Sequence, residues 1–201
     1  MTQPVSQPKA PDPSRRSERS RQAILTATRE LLFETGYAKL TIEAIAARAG
    51  VGKQTIYRWW PSKGAVMFDS LLDMAQAEGS ALPDTGDVEA DLRTVLRAIV
   101  DEFNTPALGA ITRALTTEVQ NDPQLAADMR DRLLGPQLEA TKDRLRAARD
   151  AGQLAEDLDL SVAVEMLYAP PFHRWLLGTA PLTHEYADTV AAMAVRAMRP
   201  A

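Results

Sequence analysis

Apolar residues recur along this chain at steps of three and four, the spacing of one helix face, and no run alternates strictly enough for a strand. A first helix is predicted over Ser17–Thr35, with Ile24, Ala27, Leu31 and Leu32 as its buried stripe and Gly36 as a left-handed stop. Thr41 is a natural N-cap for a second helix, in which Ile42, Ile45, Ala46 and Ala49 fall at i, i+3, i+4 and i+7. Gly50 ends that helix, Val51 and Gly52 turn the chain, and a short third helix covers Lys53–Trp59. Pro61 and Ser62 punctuate before a fourth helix that runs to about Ala77, and EGSALPDTGD reads as a loop. Further helices are predicted at 87–104, 107–120, 123–150, 161–179 and 184–198. Pro106 and Pro123 stand where first-turn prolines belong, while Gly135-Pro136 and Pro170-Pro171 predict kinks. The fold class is therefore all-α.

Composition narrows this picture. The 201 residues suit one domain or two small ones and contain no cysteine, which excludes disulfides, thiolate metal sites and a cysteine nucleophile. The N-terminal segment lacks the apolar stretch of a signal peptide and no apolar run is long enough to span a bilayer, so a cytoplasmic protein is expected. Residues 1–18, with Pro4, Pro8, Pro11 and Pro13 among polar neighbours, are expected to be a disordered basic tail. The net charge of −4 conceals an asymmetry: residues 1–64 carry eleven Lys/Arg against five Asp/Glu, and residues 65–201 carry twelve against twenty-two. A module of net charge +6 on an acidic body suits a polyanion partner.

The segment Leu40–Val66, LTIEAIAARAGVGKQTIYRWWPSKGAV, places two short helices around a glycine turn. Ala46 is small where the helices must cross, and Val51, Ile56 and Trp60 are apolar where the unit must seal onto the first helix. This is the layout of a helix-turn-helix, whose second helix enters the major groove of DNA. With Ile56 and Trp60 turned inward, Lys53, Gln54, Thr55, Tyr57 and Arg58 project outward. Gln54 suits a bidentate pair with adenine, and Lys53 or Arg58 suits guanine acceptors, although Arg58 is equally at home in solvent. Thr41, Thr55, Tyr57 and Trp59 offer hydroxyl or indole donors to phosphate, Thr41 beside a helix N-terminus; Tyr57 serves as well as a packing residue. Arg15, Arg16, Arg19 and Arg21 either reach phosphates or a minor groove, or stay solvated.

The run Gly36–Lys63, GYAKLTIEAIAARAGVGKQTIYRWWPSK, resembles the tetracycline-repressor-like (TetR) family, most clearly at Thr41, Ala46, Ala49-Gly50-Val51, Thr55-Ile56-Tyr57, Trp60 and Lys63. The resemblance covers about residues 20–68, and more loosely the segment LYAPPFHRWLLGTAPLTHEYADTVAAM. It departs at Gly52, which lacks a capping hydroxyl, and at Trp59 and Trp60, where histidine and phenylalanine are more usual. The resemblance implies an N-terminal three-helix DNA-binding domain at 19–64 and a helical ligand-binding and dimerisation bundle at 65–201. It assigns Lys63 to the DNA backbone and favours phosphate for Tyr57. It further implies double-stranded operator DNA, a homodimer, a small apolar effector and, for most members, repression.

Phe68, Leu71, Phe103, Ile111, Leu115 and Tyr168 are candidate pocket residues within a set of apolar positions that are core by default. In the last helix Ala187, Val190, Ala191, Ala194, Val195 and Met198 form a stripe, and Leu160, Val164, Leu167, Pro171 and Trp175 form one in the helix before it. Leu167, Pro171, Trp175, Val190, Ala191, Ala194 and Met198 are thus expected at a four-helix dimer interface, the alternative being that the stripes cover the chain's own core. His173 suits a surface or interface position. No catalytic residue and no metal site is expected: His173 and His184 are the only histidines, and no carboxylates at ligand spacing, phosphate loop or nucleophile elbow accompany them. An all-helical enzyme, or a helix-turn-helix protein that senses no ligand, are the competing readings. The charge asymmetry yields a direct expectation: duplex binding should weaken steeply with salt, the logarithm of affinity falling by about 0.9 per phosphate contacted for each unit of log salt. Titration of labelled duplex at several salt concentrations checks it, and salt-indifferent binding contradicts it.

Overall fold

A computed structural model describes residues 13–78 and 82–200. These residues form α1 (Pro13–Thr35), a 3-10 turn (Tyr37–Lys39), α2 (Ile42–Ala49), α3 (Lys53–Tyr57) and α4 (Lys63–Glu78). There follow α5 (Val88–Asn104), α6 (Pro106–Asn121), α7 (Pro123–Met129), a π turn (Arg130–Leu134), α8 (Gly135–Asp150), α9 (Leu160–Leu177) and α10 (His184–Met198). No strand occurs among the described residues. The chain divides into two compact units whose boundary, between Ser70 and Leu71, falls inside α4 and later than the expected Gly64. Helix α1 starts four residues before Ser17 because Pro13 is tolerated in a first turn, so the expected tail loses its last residues to the helix. Residues 1–12 and the side chains of Arg15 and Arg16 lie outside the described set.

In the first unit, Ile24, Leu25, Leu32, Leu40, Ile45 and Ile56 are fully buried. Helices α1 and α2 pack together, and α3 packs on α2. The buried pair Ile45 and Ala46 forms the inner face of α2. Gly50 adopts φ 67°, ψ 34°, and its N–H and that of Val51 close on the carbonyls of Ala46 and Ala47. That left-handed cap reverses the chain between α2 and α3, and a Cβ there would strain it.

In the second unit α5 lies chiefly against α10, with α8 and α9 completing the bundle. Its core contains Leu92, Leu96, Val100, Leu145, Ala148, Leu167, Ala187, Ala191 and Val195. The long helix predicted over 123–150 is interrupted earlier than Gly135-Pro136: its ladder widens at Arg130–Leu134. Gly135 donates its N–H to the Arg130 carbonyl, a π-type bond, and a Cβ on Gly135 would lie 2.9 Å from that oxygen. Pro136, having no N–H, cannot restore the ordinary ladder. Helix α9 by contrast continues through Pro170 and Pro171.

The expected interface stripe is corrected here. Leu167, Pro171, Trp175, Val190, Ala191, Ala194 and Met198 are all buried inside the chain's own core. Helical spacing marks a buried face without saying which chain buries it. Helix α9 is apolar on its other side as well, where Val162, Met166, Ala169, His173 and Leu177 are exposed, and Met193 is exposed on α10.

One buried ion pair ties this unit together. Asp91 on α5 is 2% exposed, and its carboxylate accepts from Arg144 Nε and Nη2 of α8 at 2.9 and 2.6 Å. It also accepts from the Thr85 hydroxyl at 2.7 Å and from the Thr85 N–H at 3.2 Å, fastening the loop before α5. Burial raises the Asp91 pKa, but the Thr85 and Arg144 hydrogen bonds outweigh it and hold the group below the ordinary carboxylate value. A depressed pKa stabilises the fold above the unfolded value and loses that contribution as pH falls toward the folded one. Asp91→Asn should therefore cost about 3–5 kcal/mol at pH 7, because it strands a buried guanidinium. The gap between variant and wild type should close below about pH 4. Denaturant melts across pH check both, and a variant as stable as wild type at pH 7 refutes the role given to the pair.

Candidate nucleic-acid interface

Helix α3 has one buried side chain, Ile56, and ends at Tyr57 rather than Trp59. Pro61 disfavours helical geometry in the residue before it, and the chain turns through Arg58 and Trp59 instead. Trp60 closes the turn from inside: it is 3% exposed, and its indole N–H donates to Asp69 of α4 at 2.8 Å. What remains outward is the expected set. Lys53, Gln54, Tyr57, Arg58 and Trp59 are exposed and Thr55 is partly so. The Arg58 guanidinium sits 5.8 Å from the centroid of the Trp59 ring.

Thr41 caps α2 by accepting the Ala44 N–H at 3.1 Å, which leaves its own hydroxyl proton for another acceptor. Gly52 caps α3 without a side-chain bond, the loss anticipated from the missing hydroxyl. Lys63 stands over the Tyr37 ring, its Nζ 3.9 Å from the centroid, and donates to the Tyr37 carbonyl at 3.3 Å. Arg19 is exposed, and Arg21 pairs with Glu18 at 3.1 Å.

Residues not singled out in the sequence hold several of these groups. Glu43, in the first turn of α2, accepts from Lys53 Nζ at 3.0 Å. Hydrogen bonding to Lys53 lowers the Glu43 pKa, and the same bond raises that of Lys53. Arg48 is held in bidentate fashion by Glu34 at 2.9 and 2.8 Å and touches Glu30 at 3.3 Å, which raises its pKa. A separation of ten residues between Glu43 and Lys53 has no helical period, so only the geometry of the turn brings the two together.

The candidate pocket residues of the second unit lie on α4, α5, α6 and α9. Phe103 stacks on Trp175 with centroids 4.3 Å apart, and Arg113 lies 4.3 Å from the Trp175 centroid. The Tyr168 hydroxyl bonds to that of the buried Thr141 at 2.7 Å. Phe103 and Tyr168 pack on the bundle core, Ile111 and Leu115 are buried on α6, and Leu71 is partly exposed. Phe68 is buried and belongs to the first unit. Among the described residues no cluster of three or more His, Cys, Asp or Glu has metal-binding geometry. No described helix is long and apolar enough to cross a membrane.

Comparison with known proteins agrees with this geometry. Residues 24–69 match the family described as bacterial regulatory proteins, tetR family, and residues 82–194 match the tetracyclin repressor-like C-terminal domain. The uncharacterized HTH-type transcriptional regulator YdeS of Bacillus subtilis is 35% identical over 171 residues, which is 85% of this chain and 85% of YdeS. The DNA-binding transcriptional repressor TetR of Mycobacteroides abscessus is 28% identical over 167 residues, 81% of this chain and 85% of that one. The crystal structure of the TetR family transcription regulator SCO0332 has a TM-score of 0.77 at 35% identity, covering 90% of this chain and 100% of its own. These relatives are transcriptional regulators and not enzymes. The chain belongs to the TetR family of helix-turn-helix transcriptional regulators, whose typical members are ligand-responsive repressors.

Proposed function

We propose that this chain is a cytoplasmic repressor that binds a near-palindromic operator as a two-fold dimer and is released by a small apolar effector held in its second unit. The observation that carries the dimer is the exposed stripe of α9, Val162, Met166, Ala169, His173 and Leu177, with Met193 of α10. Two helices from each copy make a four-helix bundle when such faces meet, and a two-fold axis presents the same patch on both copies. Each copy then contributes one α3 to one half-site, the half-sites lying about 34–36 Å apart along the duplex. Lys53, Gln54 and Arg58 face base edges, while Thr41, Thr55, Tyr57, Trp59 and Lys63 face phosphates.

An effector releases DNA only by binding the DNA-incompetent state more tightly than the competent one. Its site lies within residues 65–180, among the apolar side chains around Phe103, Ile111, Leu115 and Tyr168. The Tyr168 hydroxyl is bonded to Thr141, and its oxygen keeps acceptor capacity for a donor group on an otherwise apolar ligand.

Two experiments test this reading. Met166→Arg and Met193→Arg put charge on exposed positions, so folding should survive while dimers and operator binding are lost. Sizing and duplex titration report both; a wild type that stays monomeric at micromolar concentration, on DNA and off it, contradicts the proposal. In a thermal-shift screen of apolar compounds, the effector should raise the melting temperature and weaken operator binding together. If every stabilising compound leaves DNA affinity untouched, the ligand-release step is wrong.

A further inference from the structure

Two lysines of the first unit are held in opposite electrostatic states. Lys63 rests on a ring face and a carbonyl, neutral partners that orient its ammonium and leave its charge uncancelled. Lys53 is bound to a carboxylate, Glu43, with side chains 54% and 66% exposed. The pair is open to water and contributes little to stability, so its consequence lies in what it does to the surface. A lysine ammonium has three donors, and Glu43 takes one of them.

We propose that Glu43 is a specificity-determining residue of the DNA interface, acting through Lys53. Every duplex offers phosphates, and an unrestrained lysine at the start of α3 would grip any of them. Glu43 neutralises that lysine and fixes its position, so it adds nothing to binding of arbitrary sequence. On the cognate site the two remaining donors of the held ammonium meet base acceptors such as guanine O6 and N7. Glu43 also sits in the first turn of α2, where its charge offsets the positive helix end that would otherwise attract phosphate without regard to sequence. The proposal rests on the reading that the exposed face of α3 meets DNA.

The test uses the full chain and two duplexes: one selected in vitro by the wild type from a random pool, and a shuffled duplex of the same composition. Glu43→Gln should tighten the shuffled duplex about five-fold at 0.15 M salt and steepen its salt slope by about 0.9, the signature of one more phosphate neutralised. Affinity for the selected duplex should rise less, so the ratio between the two falls. In a Lys53→Gln background the same change has no cation to release, and the slope should stay where it was. A residue that merely caps α2 would lower the melting temperature and weaken both duplexes together, and that result overturns the proposal. A slope that steepens equally without Lys53 overturns it too. Should Lys53→Gln lower affinity for the selected duplex while Glu43→Gln shifts both duplexes alike, the proposal fails and the placement of α3 stands. If Lys53→Gln changes neither duplex, both fail.

Discussion

A five-residue helix does not persist in water, because nucleation costs more than so few hydrogen bonds return. Helix α3 exists only because Ile56 and Trp60 are pinned from beneath and Gly50 sets its approach. Burying Ile56 contributes about 1.5–3 kcal/mol. Trp60 adds its own burial and a hydrogen bond that carries the end of the turn onto α4. Every outward group of the interface inherits its position from this anchor. The anchor therefore matters more to function than any single exposed side chain that it displays.

The polar groups divide by burial. Asp91 and Arg144 are sealed from water, and the loss of either partner would leave a bare charge inside the bundle. Glu43–Lys53 and Glu34–Arg48 stand in solvent, where ion pairs contribute little to stability. Their effect is to set which cations of the first unit remain electrostatically available. The net charge of +6 over residues 1–64 already counts these carboxylates; it is the tally of eleven Lys/Arg that overstates the cations open to a phosphate, since Lys53 and Arg48 have carboxylate partners.

The helices and the outward set on α3 were legible in the sequence because each rests on local rules: apolar steps of three and four, a threonine cap, a glycine stop. The partners of that set were not. Tyr37 reaches Lys63 across 26 residues and Glu43 reaches Lys53 across ten, contacts that only the folded turn creates. The interface stripe failed for a related reason. Leu167 and Ala194 have the right spacing for burial, but α9 is apolar on both faces, and periodicity cannot tell the inner face from the outer one. The π turn at Arg130–Leu134 likewise precedes the Gly135-Pro136 pair that causes it, since a missing N–H disturbs the preceding turn.

The central claim is that this fold reads DNA as a symmetric pair of α3 helices. Hydroxyl-radical footprinting of the wild-type chain on its selected duplex tests that most directly. The account predicts two protected segments related by a dyad, with centres about 10–10.5 base pairs or a multiple of that apart. One asymmetric protected segment, unchanged as protein concentration rises, would contradict it.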